Sequence, residues 1–103
     1  MDVAYGSHTF RNVRLGSEYH INRAFYDSDT SIMRIGQRTG ITNGRLTHRD
    51  TFVLGGGMVA DGIMYSNLGQ SGDSGGPVFF NRGGTLYLIG MHVGGPAATR
   101  MSM

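Results

Sequence analysis

Glycine is the feature that most limits what this chain can fold into. Eighteen of its 103 residues are glycine, against a usual share of about 7%. Each would cost roughly 1 kcal/mol relative to alanine inside a helix, so long helices are disfavoured. Between the glycines stand short runs rich in Val, Ile, Thr, Tyr and Phe, the composition of strands joined by tight turns. These runs are "TSIMRIG" (30–36), "TGITNGRLTH" (39–48), "DTFVL" (50–54), "MVADGIMYSNL" (58–68), "PVFF" (77–80) and "TLYLIGMHV" (85–93). Six such segments with turn signals at short spacing predict an all-β, antiparallel barrel or sandwich. Asn43-Gly44 marks either a hairpin turn or a bulge. "NRGG" (81–84) reads as a hairpin connection and "AATRMSM" (97–103) as a last short strand. No segment carries a sustained 3.6-residue apolar period. "DVAYG" (2–6) looks like a strand end, and "SHTFRNVRLGSEYHINRAFYDSD" (7–29) reads as a long polar connection.

Composition narrows the function. The formal net charge is +2, and the nine arginines form no run, so a nucleic-acid partner is not expected. Lysine is absent, for which we have no physical account. The chain has no cysteine, which removes structural disulfides, thiolate catalysis and cysteine zinc sites. No metal or cofactor site is expected. There is no long apolar stretch and no basic-then-apolar leader, so neither a membrane span nor a signal peptide is expected.

The chemistry concentrates in "GQSGDSGGP" (69–77). Three readings fit its serine, Ser74. A glycine-rich loop can use serine simply as a turn former. Gly72-Asp73-Ser74-Gly75-Gly76 also satisfies G-x-S-x-G, but that elbow needs a helix after the serine, and here "PVFF" follows. The third reading is a nucleophile loop of acyl-transfer type. There the serine amide and the amide two residues earlier converge on a developing oxyanion. Glycine at that earlier position, Gly72, gives the backbone the needed freedom.

"GDSGGPV" resembles the nucleophile signature of chymotrypsin-like serine proteases. The wider stretch "RIGQRTGITNGRL…VLGGGMVADGIMYSNLGQSGDSGGPVFF" is similar to the C-terminal barrel of the streptogrisin-like bacterial branch, over about residues 31 to 99. The resemblance implies a six-stranded antiparallel Greek-key barrel of the trypsin-like type, the second barrel only, behind a partly irregular N-terminal segment. Residues 1–30 would be a remnant of the first barrel and the interdomain connection, and 31–103 the barrel carrying the nucleophile.

Residue by residue, the resemblance implies Ser74 as nucleophile and the Gly72 and Ser74 amides as oxyanion hole. Arg34, at the arginine of "RxG", would pair with Asp73. "GMHVGG" (90–95) matches the strand that walls the primary specificity pocket, so Val93, Gly94 and Gly95 would pair with an extended peptide substrate. His92 occupies the place of a histidine found in members that cut after Glu or Gln. Its imidazole can donate to a carboxylate or amide. Leu68 lies where trypsin-like members carry a pocket-floor aspartate, which argues against basic side chains in that pocket. "DVAY" (2–5) resembles the run bearing the catalytic aspartate, here Asp2. His8, His20 and His48 lack the context of the catalytic histidine and are expected in loops or on strand faces. Without that base a serine hydroxyl stays protonated and weakly nucleophilic, so the chain alone is expected to be inactive. A separate N-terminal half or self-association would complete it. The alternative is a protease-like fragment serving as a peptide-binding or assembly module. The family's secreted members imply an extracellular setting, although they are usually disulfide-bonded and this chain is not.

Overall fold

The computed structural model describes residues 1–27, 29–38, 40–53, 59–67, 75–94 and 97–100, with backbone alone at 48, 50–53, 59–61, 93–94 and 97–100. Most of these residues are in strands. The chain begins with a short hairpin, β1 (Val3–Tyr5) and β2 (His8–Phe10), then β3 (Arg14–Leu15) and one helix, α1 (Glu18–Tyr26). The main strands follow: β4 (Thr30–Gly36), β5 (Gly40–Gly44), β6 (Leu46–Val53), β7 (Val59–Tyr65), β8 (Pro77–Arg82), β9 (Thr85–Gly94) and β10 (Ala97–Arg100). Hydrogen-bonded neighbours run β5-β4-β8-β9-β10-β7-β6, all antiparallel, with β3 added parallel to β9. The path is open, with β5 and β6 as its ends. Those ends are consecutive in the chain, separated by Arg45 alone.

Asn43-Gly44 is therefore no hairpin turn. The chain keeps running through it, and the partner changes from β4 to β7. Gly44 is needed there because a Cβ would lie 2.4 Å from Asn67 Oδ1 and 2.5 Å from Ser66 Oγ. The "NRGG" connection does turn. Arg82 pairs with Thr85 around Gly83 and Gly84, whose φ angles of 59° and 86° match the primed turns that suit the strands' right-handed twist.

Two cores form on opposite faces of this sheet. On one face Ile32, Leu46, Ile63, Tyr65, Val78, Phe80 and Ile89 pack with Ile21 and Ala24 of α1. On the other, Val13, Ile35 and Phe79 pack with Val3, Tyr5 and Phe10 of the N-terminal hairpin. Strand β8 feeds both, because Val78, Phe79 and Phe80 alternate between them and each is at most 1% exposed. Each such side chain contributes about 1.5–3 kcal/mol of transfer free energy.

Residues 7–29 are not a long connection. They hold β2, β3 and α1, and α1 covers the first core with Ile21 and Ala24. The helix starts at Ser17, whose carbonyl accepts from the His20 and Ile21 amides at 3.0 and 3.2 Å. His20 Nδ1 in turn accepts from the Ser17 amide at 3.0 Å, the reciprocal half of a capping box. No helix of the described residues is long and apolar enough to cross a membrane.

Candidate functional site

The residues just after Ser74 join the sheet at one place. Gly75 donates its amide to the His92 carbonyl and His92 donates its own to Gly76, both at 2.9 Å. The next residue, Pro77, opens β8 opposite Met91. Proline lacks an amide, so the first position of a strand is where it costs least. This exchange pairs His92 with the residues one and two positions after Ser74 in the sequence.

His92 itself is 2% exposed. Its Nδ1 is hydrogen-bonded to the Tyr65 hydroxyl, on a β7 residue that is 1% exposed. When the hydroxyl donates, the ring proton sits on Nε2, the tautomer able to donate to an acceptor there. The two rings lie 5.9 Å apart at 46°. Sequence reasoning did not single out Tyr65. Its two-residue spacing from the buried Ile63 marks an inward position, but nothing in the sequence names a partner 27 positions away.

The residue just before position 68 is held in place as well. Asn67, 3% exposed, donates its amide to the Ile32 and Thr42 carbonyls at 3.1 and 2.8 Å. It thereby ties the end of β7 to the β4–β5 pair. Arg34 lies in that pair, opposite Val78 of β8 and Thr42 of β5. It is fully buried, two residues from Ile32 and so on the same face. A guanidinium so placed is tolerated only with compensating charge or acceptors.

Asp2 is exposed, and its Oδ1 accepts the Asn12 amide at 3.2 Å. The strand it leads into, β1, lines an apolar groove of about 210 Å³ together with Gly75, Pro77, Gly90 and Met91. The structure thus brings the neighbours of Asp2 beside Gly75 and Pro77, which follow Ser74 in the sequence. Val93 and Gly94 continue β9 past the β8 pairing, and Gly94 faces Ala97 of β10. Ser74, Gly72, Asp73, Leu68 and Gly95 lie outside the described residues.

The other histidines are dispersed. His8 sits in β2 opposite Tyr5, stacked on Phe10. His48 lies in β6 opposite Met64. His20 departs from the expectation of a loop or strand face, because it belongs to α1. It stacks on Tyr87 with ring centroids 4.1 Å apart, and burial holds its pKa below the usual 6.5.

A scan against models of known families finds no match to this chain, and a search of the curated proteins finds none either.

Proposed function

We propose that this chain is the nucleophile-bearing half of a chymotrypsin-like serine endopeptidase, cutting polypeptides after Glu or Gln. The observation that carries the reading is the paired hydrogen bonding of Gly75 and Gly76 with His92. It ties the chain next to Ser74 to a buried histidine held by Tyr65. In this reading Ser74 attacks the peptide carbonyl. The Gly72 and Ser74 amides receive the oxyanion, and Asp73 neutralises the buried Arg34. His92 donates from Nε2 to the substrate's carboxylate or amide, while Val93, Gly94 and Gly95 pair with its backbone. Asp2 would orient a histidine supplied by the first barrel.

The fold reading behind this treats β5 and β6 as halves of one strand bent at Arg45. The order β4-β8-β9-β10-β7 then returns to β4 through that strand, as a six-stranded Greek-key barrel does. Two facts support it: the single-residue gap between β5 and β6, and the switch of partner across it.

The rival is a peptide-binding module with no hydrolytic activity. It is favoured by the placement of His8 and His20 in contacts of their own, on β2 and α1. A fluorophosphonate probe separates the two. Labelling of the chain, alone or combined with a first-barrel half carrying the histidine, and its loss in Ser74→Ala, is the result expected of the protease. No labelling in either arm, with retained binding of an extended Glu- or Gln-containing peptide, is the result expected of the module.

A further inference from the structure

We propose that a second site, remote from His92, binds the oxyanionic group of a small ligand, a carboxylate or a phosphate. A cleft of about 440 Å³ opens between the segment after β2 and the β8–β9 turn. Thr9, Arg11, Asn12 and Arg14 line one side of it, and Gly84 and Thr85 the other. Thr85 begins β9 and His92 lies seven residues further on, roughly 20 Å along an extended strand. The cleft is therefore separate from the proposed peptide site and independent of that reading.

The charges of this cleft are not spent elsewhere among the described residues. Among the described residues, the carboxylates that form ion pairs are Glu18 with Arg49, and Asp27 and Asp29 with Arg82, Asp27 also meeting Arg23. Asp2, which touches this segment, accepts the Asn12 backbone amide instead. Neither the Arg11 nor the Arg14 guanidinium has an ion-pair or hydrogen-bond partner among the described residues. Two like charges lining one cleft disfavour each other, and an anion between them reverses that term. The planar fork of arginine suits carboxylate and phosphate oxygens, to which it can donate two parallel hydrogen bonds.

The segment that carries the arginines is also held in place. Phe10 packs on Phe79 with centroids 5.2 Å apart. Val13 is 1% exposed, and its amide donates to the Met1 carbonyl at 2.7 Å. Arg14 is in register with Tyr87 through the parallel β3–β9 pairing. Asn12 takes a left-handed φ of 57°, which asparagine tolerates better than most residues. Arg11 and Arg14 thus leave a backbone fixed before, between and after them, so little ordering of the main chain opposes binding.

The test is an NMR titration of the whole chain, following backbone amides. Sodium phosphate and sodium acetate are added in separate arms, with sodium chloride at matched ionic strength. Saturable shifts at Asn12, Gly84 and Thr85 are expected with phosphate, acetate or both, and the stronger arm names the ligand chemistry. Replacing Arg11 and Arg14 together by Gln should weaken the response about tenfold or more. Both positions are exposed, and an unchanged amide spectrum outside the cleft checks that the double variant is folded. Equal shifts with chloride, no saturation in any arm, or wild-type titration of the variant would overturn the proposal.

Discussion

The two faces of the sheet are built on different terms. The face under the N-terminal hairpin centres on Val13, Ile35 and Phe79, an apolar set. The face under α1 is larger and carries, beside its aliphatic and aromatic side chains, buried polar groups that include Thr30, Arg34, Asn67 and His92. Burying such groups costs several kcal/mol unless each is matched. An apolar face can be repaired by any side chain of the right volume, whereas a polar one depends on particular partners. Asn67 immediately precedes residues 68–74, and His92 is hydrogen-bonded to Gly75 and Gly76 just after them. The face that costs more to build is the one that serves the candidate site.

The largest test of that contrast is paired truncation. Phe79→Ala and Phe80→Ala should each cost about 3–5 kcal/mol in urea unfolding, as deletion of a buried aromatic does. Phe79→Leu should recover most of the loss on the apolar face. On the other face, where Phe80 packs against His20 and Tyr87 at 5.6 and 5.8 Å, Phe80→Leu should recover less. Equal recovery at both positions would erase the distinction.

Next comes the buried arginine. Arg34→Met should destabilise the chain by about 3 kcal/mol, the usual result of breaking a buried pair from one side. If Asp73 is its counter-ion, Asp73→Asn should cost a similar amount, and the double variant should cost less than their sum by about 0.5–3 kcal/mol. Additive losses would remove Asp73 as the partner and leave the charge to other neighbours. Tyr65→Phe is smaller again. It deletes the acceptor or donor facing His92 Nδ1 while keeping the ring, and should cost about 1–3 kcal/mol. In a chain that binds peptide, it should also weaken Glu- and Gln-containing ligands more than their Ala counterparts. A uniform effect on all peptides would assign Tyr65 to packing alone.

The regions also differ in how far they could be read from sequence. Strands β4, β8 and β9 were legible because their apolar residues alternate or run unbroken, and because Gly83-Gly84 closes a turn with a known backbone requirement. The helix was hidden for physical reasons. Only Ile21, Ala24 and Phe25 give it an apolar stripe, and its nine residues include Tyr19, Asn22 and Arg23 on other sides. Its capping partner at the third position is His20 rather than Glu or Gln, so the usual start signal was missing. Strand β3 is two residues long and is defined by its pairing with Tyr87 and Leu88 of β9, too short to leave a period in the sequence. The serine stretch, residues 69–77, is the reverse case. Its residues carry the most specific sequence signal in the chain, yet what the structure describes lies on either side of residues 68–74. Tyr65 and Asn67 act through partners far away in sequence, and no local pattern could have announced them.

The smallest expected effect is a dependence on pH, and it too sits on the face under α1. His20 Nδ1 accepts the Ser17 amide, so the folded chain uses the neutral imidazole as an acceptor at the helix start. Protonation puts a hydrogen on that nitrogen and ends the bond. Burial against Phe80 and Tyr87 opposes the charge as well, and the pKa is lowered from 6.5. The charged group nearest in sequence is Glu18, which is paired with Arg49 of β6; Arg23 of α1 packs over Tyr19. With a folded pKa below the unfolded one, the unfolded chain binds the proton first. The contribution of His20 is therefore complete above about pH 6.5 and is lost as pH falls through the folded value. Thermal midpoints should decline between neutral pH and pH 5, and His20→Gln, which keeps an acceptor at the cap, should flatten that decline. A variant that melts with the wild-type pH profile would move the sensitivity to another histidine and leave the helix start indifferent to protonation.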